Sequence, residues 1–256
     1  MTKFEMTLQI PTFKPCYDDN TVYGYKGVKG DNLKSLLEET SKGYCMYCYT
    51  KVDVDSKRFG QLEHSIEKRH CDKLYECVPN IALACSKCNL SFKKTGDIED
   101  VFTVKCLEKF QTASCDKEKC KQECREYRVL KKVYLKKRKI ILQPFGISKG
   151  KKEFRIQYNL MNLQFEPSEK WDYTDEEKEF IDDHISRFCL NDPDYRTREL
   201  LQFCEDVVNG DQSFRRGKYN NMIVDLFMDK IAGLDRKKIC DLCSLIYSIG
   251  MVNDMI

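Results

Sequence analysis

Apolar residues fall into two kinds of pattern along this chain. Leu33, Leu36 and Leu37 recur at helical spacing and predict a helix over residues 32–40, with Asp31 as its N-cap. Residues 61–66 and 81–85 are short, mostly apolar runs that predict two strands. A short helix is expected from residue 86 to about 94, closed by Gly96. Residues 118–137 contain no Gly or Pro and carry Tyr127, Leu130, Val133 and Tyr134 at helical spacing. Residues 139–145 and 154–165 predict two strands joined by a turn-rich segment at 146–150. Helices are expected over 174–190, 195–209, 218–232 and 235–250. Thr174 and Glu177 form a capping box, and Asp235 caps the last helix. The first thirty residues, with Pro11, Pro15 and several Gly and Tyr, look irregular. The pattern is that of an α+β protein: a small strand–strand–helix unit, then a β-hairpin, then a helical domain. The expected division is 1–110, a basic connector over 111–139, and 140–256.

Composition narrows the class. The 256 residues are 41% hydrophobic and 33% charged, and no run approaches the length of a membrane span. The first residues lack the apolar core of an export signal, so a cytoplasmic location is the expectation. Fifteen cysteines in a reducing compartment would be thiols or metal ligands rather than a disulfide framework. The net charge is only +3, but it is unevenly spread. Residues 117–139 hold eleven Lys or Arg against three Glu, which suits a face presented to phosphate as well as an ordinary solvated helix.

The cysteines carry the sharpest chemistry. Cys45 and Cys48 form one C-x-x-C pair, and Cys85 and Cys88 form another. Two such pairs have the form of a closed tetrahedral zinc site, against the alternative of buried free thiols. Between them stand Glu63 and His64, then Asn80, and Asn89 follows the last cysteine directly. Taken singly, each has an ordinary explanation: a solvated carboxylate, a strand histidine, a turn residue after Pro79, a helix residue bonding local backbone. Cys115, Cys120 and Cys124 could form a second metal site, though thiols on a charged helix explain them better. Cys240 and Cys243 fit helix-core packing, and nothing in the spacing of Cys71 and Cys77 demands a ligand role.

The order of these residues resembles the four-cysteine HNH endonucleases, a zinc-stapled ββα-metal fold. The resemblance implies that His64 is the general base, that Glu63 and Asn89 hold a catalytic Mg²⁺ or Mn²⁺, and that Asn80 ties the loop behind His64. Cys45, Cys48, Cys85 and Cys88 would hold a structural Zn²⁺. Lys93 and Lys94, near the Cys-Asn step, would bind the substrate backbone, and the connector lysines Lys131, Lys132, Lys136 and Lys137 would track phosphates. Many members carry Asp before the His and Pro three residues after it; here Glu63 and Glu67 stand there, and Glu67 puts a further carboxylate near the cleft. Short stretches beyond residue 139 are similar to the nuclease subunits of Septu and retron anti-phage systems. That implies an ATPase partner and a role in damaging invading nucleic acid, with double-stranded DNA the favoured substrate, while the absence of a long apolar run leads to no membrane being expected. Two other readings remain: a non-catalytic zinc module that binds nucleic acid, and a protein-interaction subunit.

Overall fold

The computed structural model describes residues 4–54, 57–94, 101–114, 120–210, 218–253 and 255. The chain opens with a strand, β1 (Thr7–Gln9), whose Leu8 points into the core between two half-buried polar neighbours. Helix α1 (Gly27–Ser41) follows. It buries Leu33 and Leu37 and ends where Lys42 and Gly43 turn left-handed. It starts earlier than the leucine spacing indicates, with Lys26 rather than Asp31 at the N-cap. Gly27 and Gly30 belong to the stretch that looks irregular in sequence. Gly30 is instead a point of close approach, since a Cβ there would lie 2.8 Å from the Tyr25 carbonyl oxygen.

After the cysteine knuckle come a small ribbon, β2 (Asp53–Val54) with β3 (Lys57–Arg58), and then β4 (Gln61–His64). Strand β4 pairs antiparallel with β5 (Ile81–Ala84), placing Glu63 opposite Ala82 and His64 opposite Ile81. The sixteen-residue connection returns through three 3-10 turns, Lys68–His70, Asp72–Tyr75 and Val78–Asn80. Helix α2 (Ser86–Leu90) follows β5 and ends in one 3-10 turn, Phe92–Lys94. The predicted strand–strand–helix order is therefore present, with the helix shorter than expected. Gly96 lies outside the described residues.

Helix α3 (Val104–Thr112) packs on α4 (Arg125–Lys137), which begins seven residues later than the unbroken pattern from residue 118 predicts. Cys124 caps α4, its sulfur accepting from the Tyr127 amide. Cys120 therefore lies before the helix, and Cys115 is outside the described residues. A two-residue ribbon, β6 (Ser148–Lys149) with β7 (Lys152–Glu153), precedes the hairpin β8 (Ile156–Asn159) and β9 (Gln164–Pro167). The order of this sheet is β1-β8-β9.

The strand expected over 139–145 is not formed. Ile140, Ile141 and Leu142 are all buried, as every residue of β5 is, so burial does not decide between strand and irregular core segment. Its main chain is held by other partners: the Ile141 amide donates to His184 Nδ1 at 3.0 Å, and the Phe145 amide donates to the Phe13 carbonyl. The hairpin arises instead within 154–167.

Helices α5 (Asp175–Arg187), α6 (Thr197–Val208), α7 (Met222–Ile231) and α8 (Arg236–Val252) complete the fold. The Thr174–Glu177 capping box and the Asp235 cap are both present. Helices α6 and α8 approach closely at Gly250, where a Cβ would lie 2.6 Å from Leu201. The expected boundary near residue 139 is crossed by main-chain pairing. Strand β1 joins β8, the Lys51 amide donates to Asn220, and the Met222 amide donates to Tyr49. Among the described residues no helix is long and apolar enough to cross a membrane.

Candidate active site and metal centre

The two cysteine pairs meet because the first knuckle is stitched to the end of β5. The Cys45 amide donates to the Thr50 carbonyl, and the Met46 amide donates to Leu83 of β5. Cys85 then follows β5 directly, and its sulfur accepts from the Cys88 amide at the start of α2. All four sulfurs lie within 4.8 Å of one another, and those of Cys48 and Cys85 are 3.7 Å apart. A tetrahedral ion with Zn–S bonds of ~2.3 Å places its sulfurs roughly 3.8 Å apart, so the donor set and spacing fit a zinc ion. Hydrogen bonding from Cys45, then from Cys85 and Cys88, holds the Cys48 thiol well below its ordinary value, and the Arg196 charge acts in the same direction. Arg196 is fully enclosed and donates from Nε to the Cys48 carbonyl at 3.0 Å and from Nη1 to Cys189 at 2.8 Å. A four-thiolate zinc site would carry net negative charge, and this guanidinium would offset part of it.

His64 ends β4 and packs its ring against Tyr25, with centroids 4.3 Å apart, and against Tyr75 at 5.8 Å. Its Nε2 lies 3.1 Å from the Tyr75 carbonyl oxygen. That acceptor fixes the proton on Nε2 and leaves Nδ1 as the basic nitrogen. Burial lowers the imidazole pKa to about 4 against the raising effect of the Tyr75 bond, with Lys68 and Lys93 adding to the fall. His64 is therefore neutral at physiological pH.

Asn80 is completely buried at the far end of the same connection. Its Oδ1 accepts from the Ile66 amide at 2.8 Å and from the Tyr127 hydroxyl at 2.9 Å, while its Nδ2 donates to the Ile66 carbonyl at 2.9 Å. The side chain clamps the segment just past His64 and ties it to α4.

Glu63 and His64 leave β4 on opposite faces, as strand alternation requires. Glu63 is buried, and its Oε1 lies 2.6 Å from the Lys93 ammonium. Lys93 also donates to the His64 carbonyl. Asn89 is half-buried, and its Nδ2 donates to Gln61 Oε1 at 2.8 Å. Glu63 and Asn89 offer the hard oxygen chemistry of Mg²⁺ or Mn²⁺, but as arranged they do not fit such an ion, because an ammonium already holds the carboxylate. Lys93 is correspondingly not a surface lysine. The backbone contact expected of it gives way to a buried ion pair.

Two further expectations change in the same manner. Glu67 does not face a cleft: it accepts from the Tyr134 hydroxyl at 2.9 Å and lies 3.4 Å from His70. Burial opposes its charge, yet His70, Lys93 and Tyr134 together bring its pKa down to about 2. Lys131 is turned inward, donating to Glu123 at 2.6 Å and to the Gly146 carbonyl. Lys132, Lys136 and Lys137 are exposed and share the outside of α4 with Arg125 and Arg128. The Lys94 side chain lies outside what the structure describes. Cys243 is fully buried in the helical core, and among the described residues Cys45, Cys48, Cys85 and Cys88 form the cluster that could hold a metal.

Sequence reasoning missed the aromatic and basic rim around His64. Lys68 sits 5.1 Å from the ring centres of both Tyr25 and Tyr75, and Lys26 sits 5.4 Å from Tyr75. The only hint was the aromatic and basic content of residues 23–26, in a stretch that otherwise reads as irregular. No family model, curated protein or solved structure matches the chain.

Proposed function

We propose that this chain is a zinc-stapled endonuclease of the HNH kind, hydrolysing phosphodiester bonds of DNA, with double-stranded DNA the favoured substrate. The observation that carries it is the presence on one strand–strand–helix unit of a neutral histidine whose Nδ1 has no hydrogen-bond partner among the described residues, an asparagine clamp behind it and a cysteine quartet. In this mechanism Nδ1 of His64 takes a proton from water, whose oxygen attacks phosphorus as the bond to the 3′ oxygen breaks and that oxygen takes a proton from solvent to leave as a hydroxyl. The Tyr75 carbonyl holds the ring in the required tautomer, and Asn80 fixes the loop that supplies that carbonyl. Lys26 and Lys68, exposed over the tyrosine rings beside His64, draw the phosphate backbone toward it. The effector role in anti-phage defence, the ATPase partner and the cytoplasmic location belong to the same proposal and rest on the resemblance.

Plasmid cleavage with Mg²⁺ or Mn²⁺, comparing the wild type with His64→Ala at equal zinc content, tests the assignment. Cleavage that disappears in the variant supports it. Cleavage that persists in the variant removes His64 as the base. The Lys93–Glu63 pair favours a second reading, a non-catalytic zinc module that binds nucleic acid or a partner protein. On that reading DNA binding would be unchanged by His64→Ala and no turnover would occur.

A further inference from the structure

Helix α3 lies against α4 and leaves a groove of about 610 Å³ between them. The floor of the groove is apolar, with Cys106, Phe110 and Val129, and its rim is cationic, with Lys105, Lys109 and Arg125. Glu126 is the one carboxylate among the lining residues. Lys105, Lys109 and Arg125 are exposed, and none has an ion-pair partner among the described residues. Lys105 and Lys109 stand one turn apart on the same face of α3. Arg125 begins a second row, continued by Arg128, Lys132 and Lys136 at intervals of three and four residues along α4. The α3 wall is pinned from behind. Lys73 donates to the carbonyls of Phe110 and Ala113, and Gln111 Oε1 accepts from Cys71 Sγ at 2.7 Å and from the Lys73 amide at 3.3 Å. These contacts neutralise the carbonyl end of α3, which would otherwise oppose an anion. They also tie α3 to the β4–β5 connection that passes His64.

We propose that the α3–α4 groove receives the phosphate backbone of one nucleic-acid strand, held by Lys105 and Lys109 from one wall and by Arg125 from the other. The inference rests on the nucleic-acid reading of the chain but not on cleavage. Positive charge on two walls of a concave surface focuses the field on an anion that enters, which a single solvated helix face does not do. The row from Arg125 to Lys136 extends for ~16 Å along α4. A strand can therefore leave the groove and run on over the same helix, a length of contact that suits a uniformly charged polymer. Glu126 opposes phosphate inside the groove and sets a limit on affinity there.

Fluorescence anisotropy of a labelled DNA duplex with the zinc-loaded full chain, without added Mg²⁺ or Mn²⁺, tests this across a salt series. Lys105→Ala with Lys109→Ala should weaken binding about tenfold at about 0.1 M salt and remove about two units from the salt slope. Both side chains are exposed, so the melting temperature should stay that of the wild type. Lys178→Ala with Lys237→Ala removes the same charge from exposed positions elsewhere and should change neither quantity. Glu126→Gln should tighten binding about twofold. In the unaltered protein, saturating duplex should slow iodoacetamide alkylation of Cys106 in the groove but not of the exposed Cys16, read by peptide mass mapping. Wild-type affinity and slope in the α3 double variant overturn the proposal, as does alkylation of Cys106 that the duplex leaves unchanged. Poly-glutamate that displaces the duplex at equal charge concentration assigns the groove to an acidic protein and overturns it too. A wild type that binds no DNA removes this proposal and the nucleic-acid reading together. Binding that shows the groove effects without any cleavage supports the groove and removes only the nuclease.

Discussion

The amide of Asn80 meets both main-chain groups of Ile66, accepting from its N–H at 2.8 Å and donating to its carbonyl at 2.9 Å. It extends the β4–β5 ladder by one further pair, using a side chain where the strands have ended. The Ser65 amide already donates to the Asn80 carbonyl at 2.7 Å, so main chain and side chain act in series. Asn80→Ala would leave the buried Ile66 groups and the Tyr127 hydroxyl without partners. A loss of about 3 kcal/mol in urea denaturation is expected. Because the loop also supplies the Tyr75 carbonyl to His64, cleavage should fall even under conditions where the variant is folded. Stability within error of the wild type would show that the clamp is dispensable.

Arg196 joins the helical half to the cysteine quartet through the Cys48 carbonyl. Arg196→Ala should cost about 2–3 kcal/mol, since one buried and one half-buried carbonyl lose a charged donor. It should also speed zinc loss to a chelator, measured by the absorbance of a metal-binding dye. Arg196→Lys should not restore either property, because one ammonium cannot reproduce the two divergent N–H contacts. Cys48→Ser should abolish tight zinc altogether, against an expected one zinc per chain in the wild type. Zinc retention unaffected by Arg196→Ala would separate the guanidinium from the metal centre.

Legibility in the sequence follows how local the determining chemistry is. Cys45, Cys48, Cys85 and Cys88 are readable because two residues between thiols fix a knuckle before any tertiary contact forms. The helix caps at Thr174 and Asp235 are readable for the same reason. Lys93 was not readable: a lysine at a helix end normally reaches water, and only Glu63, thirty residues earlier, makes burial tolerable. Lys131 was half-readable. It stands four residues after Tyr127 and three before Tyr134, so the periodicity that buries both tyrosines buries it too. The run 139–145 misleads because continuous apolar residues suit a strand as well as an irregular core segment. Its deciding partner, His184, is more than forty residues away.

The two sides of α4 should separate experimentally. Lys132→Ala with Lys136→Ala should leave thermal stability unchanged, since both side chains are exposed. If this face contacts DNA, the salt dependence of binding should lose about two units of slope by fluorescence anisotropy. Lys131→Ala should do the reverse, costing about 1–3 kcal/mol of stability through the loss of its contacts to Glu123 and Gly146 while leaving the salt slope intact. A slope unchanged in the double variant would move the nucleic-acid face away from α4.

His184 gives the fold a pH dependence of defined sign. Its ring is fully buried between the 140–142 segment and Phe188, and Nδ1 accepts from the Ile141 amide. Burial, reinforced by the Arg187 charge, lowers its pKa to about 3 from the ordinary 6.5. Between those values the unfolded chain binds a proton that the folded chain refuses. Stability from this group is therefore complete above pH 6.5 and is lost as the pH falls, at about 1.4 kcal/mol per pH unit. His64 acts in the same direction through its own depressed value, so the wild-type curve alone does not isolate His184. His184→Asn keeps an acceptor near the position of Nδ1 and removes the titration. At pH 7 it should be the less stable protein because the smaller side chain leaves a void. On acidification from pH 6.5 to 4 its unfolding free energy should fall less steeply than that of the wild type, so that the two curves converge. Parallel curves across that interval would mean that the buried imidazole does not resist protonation.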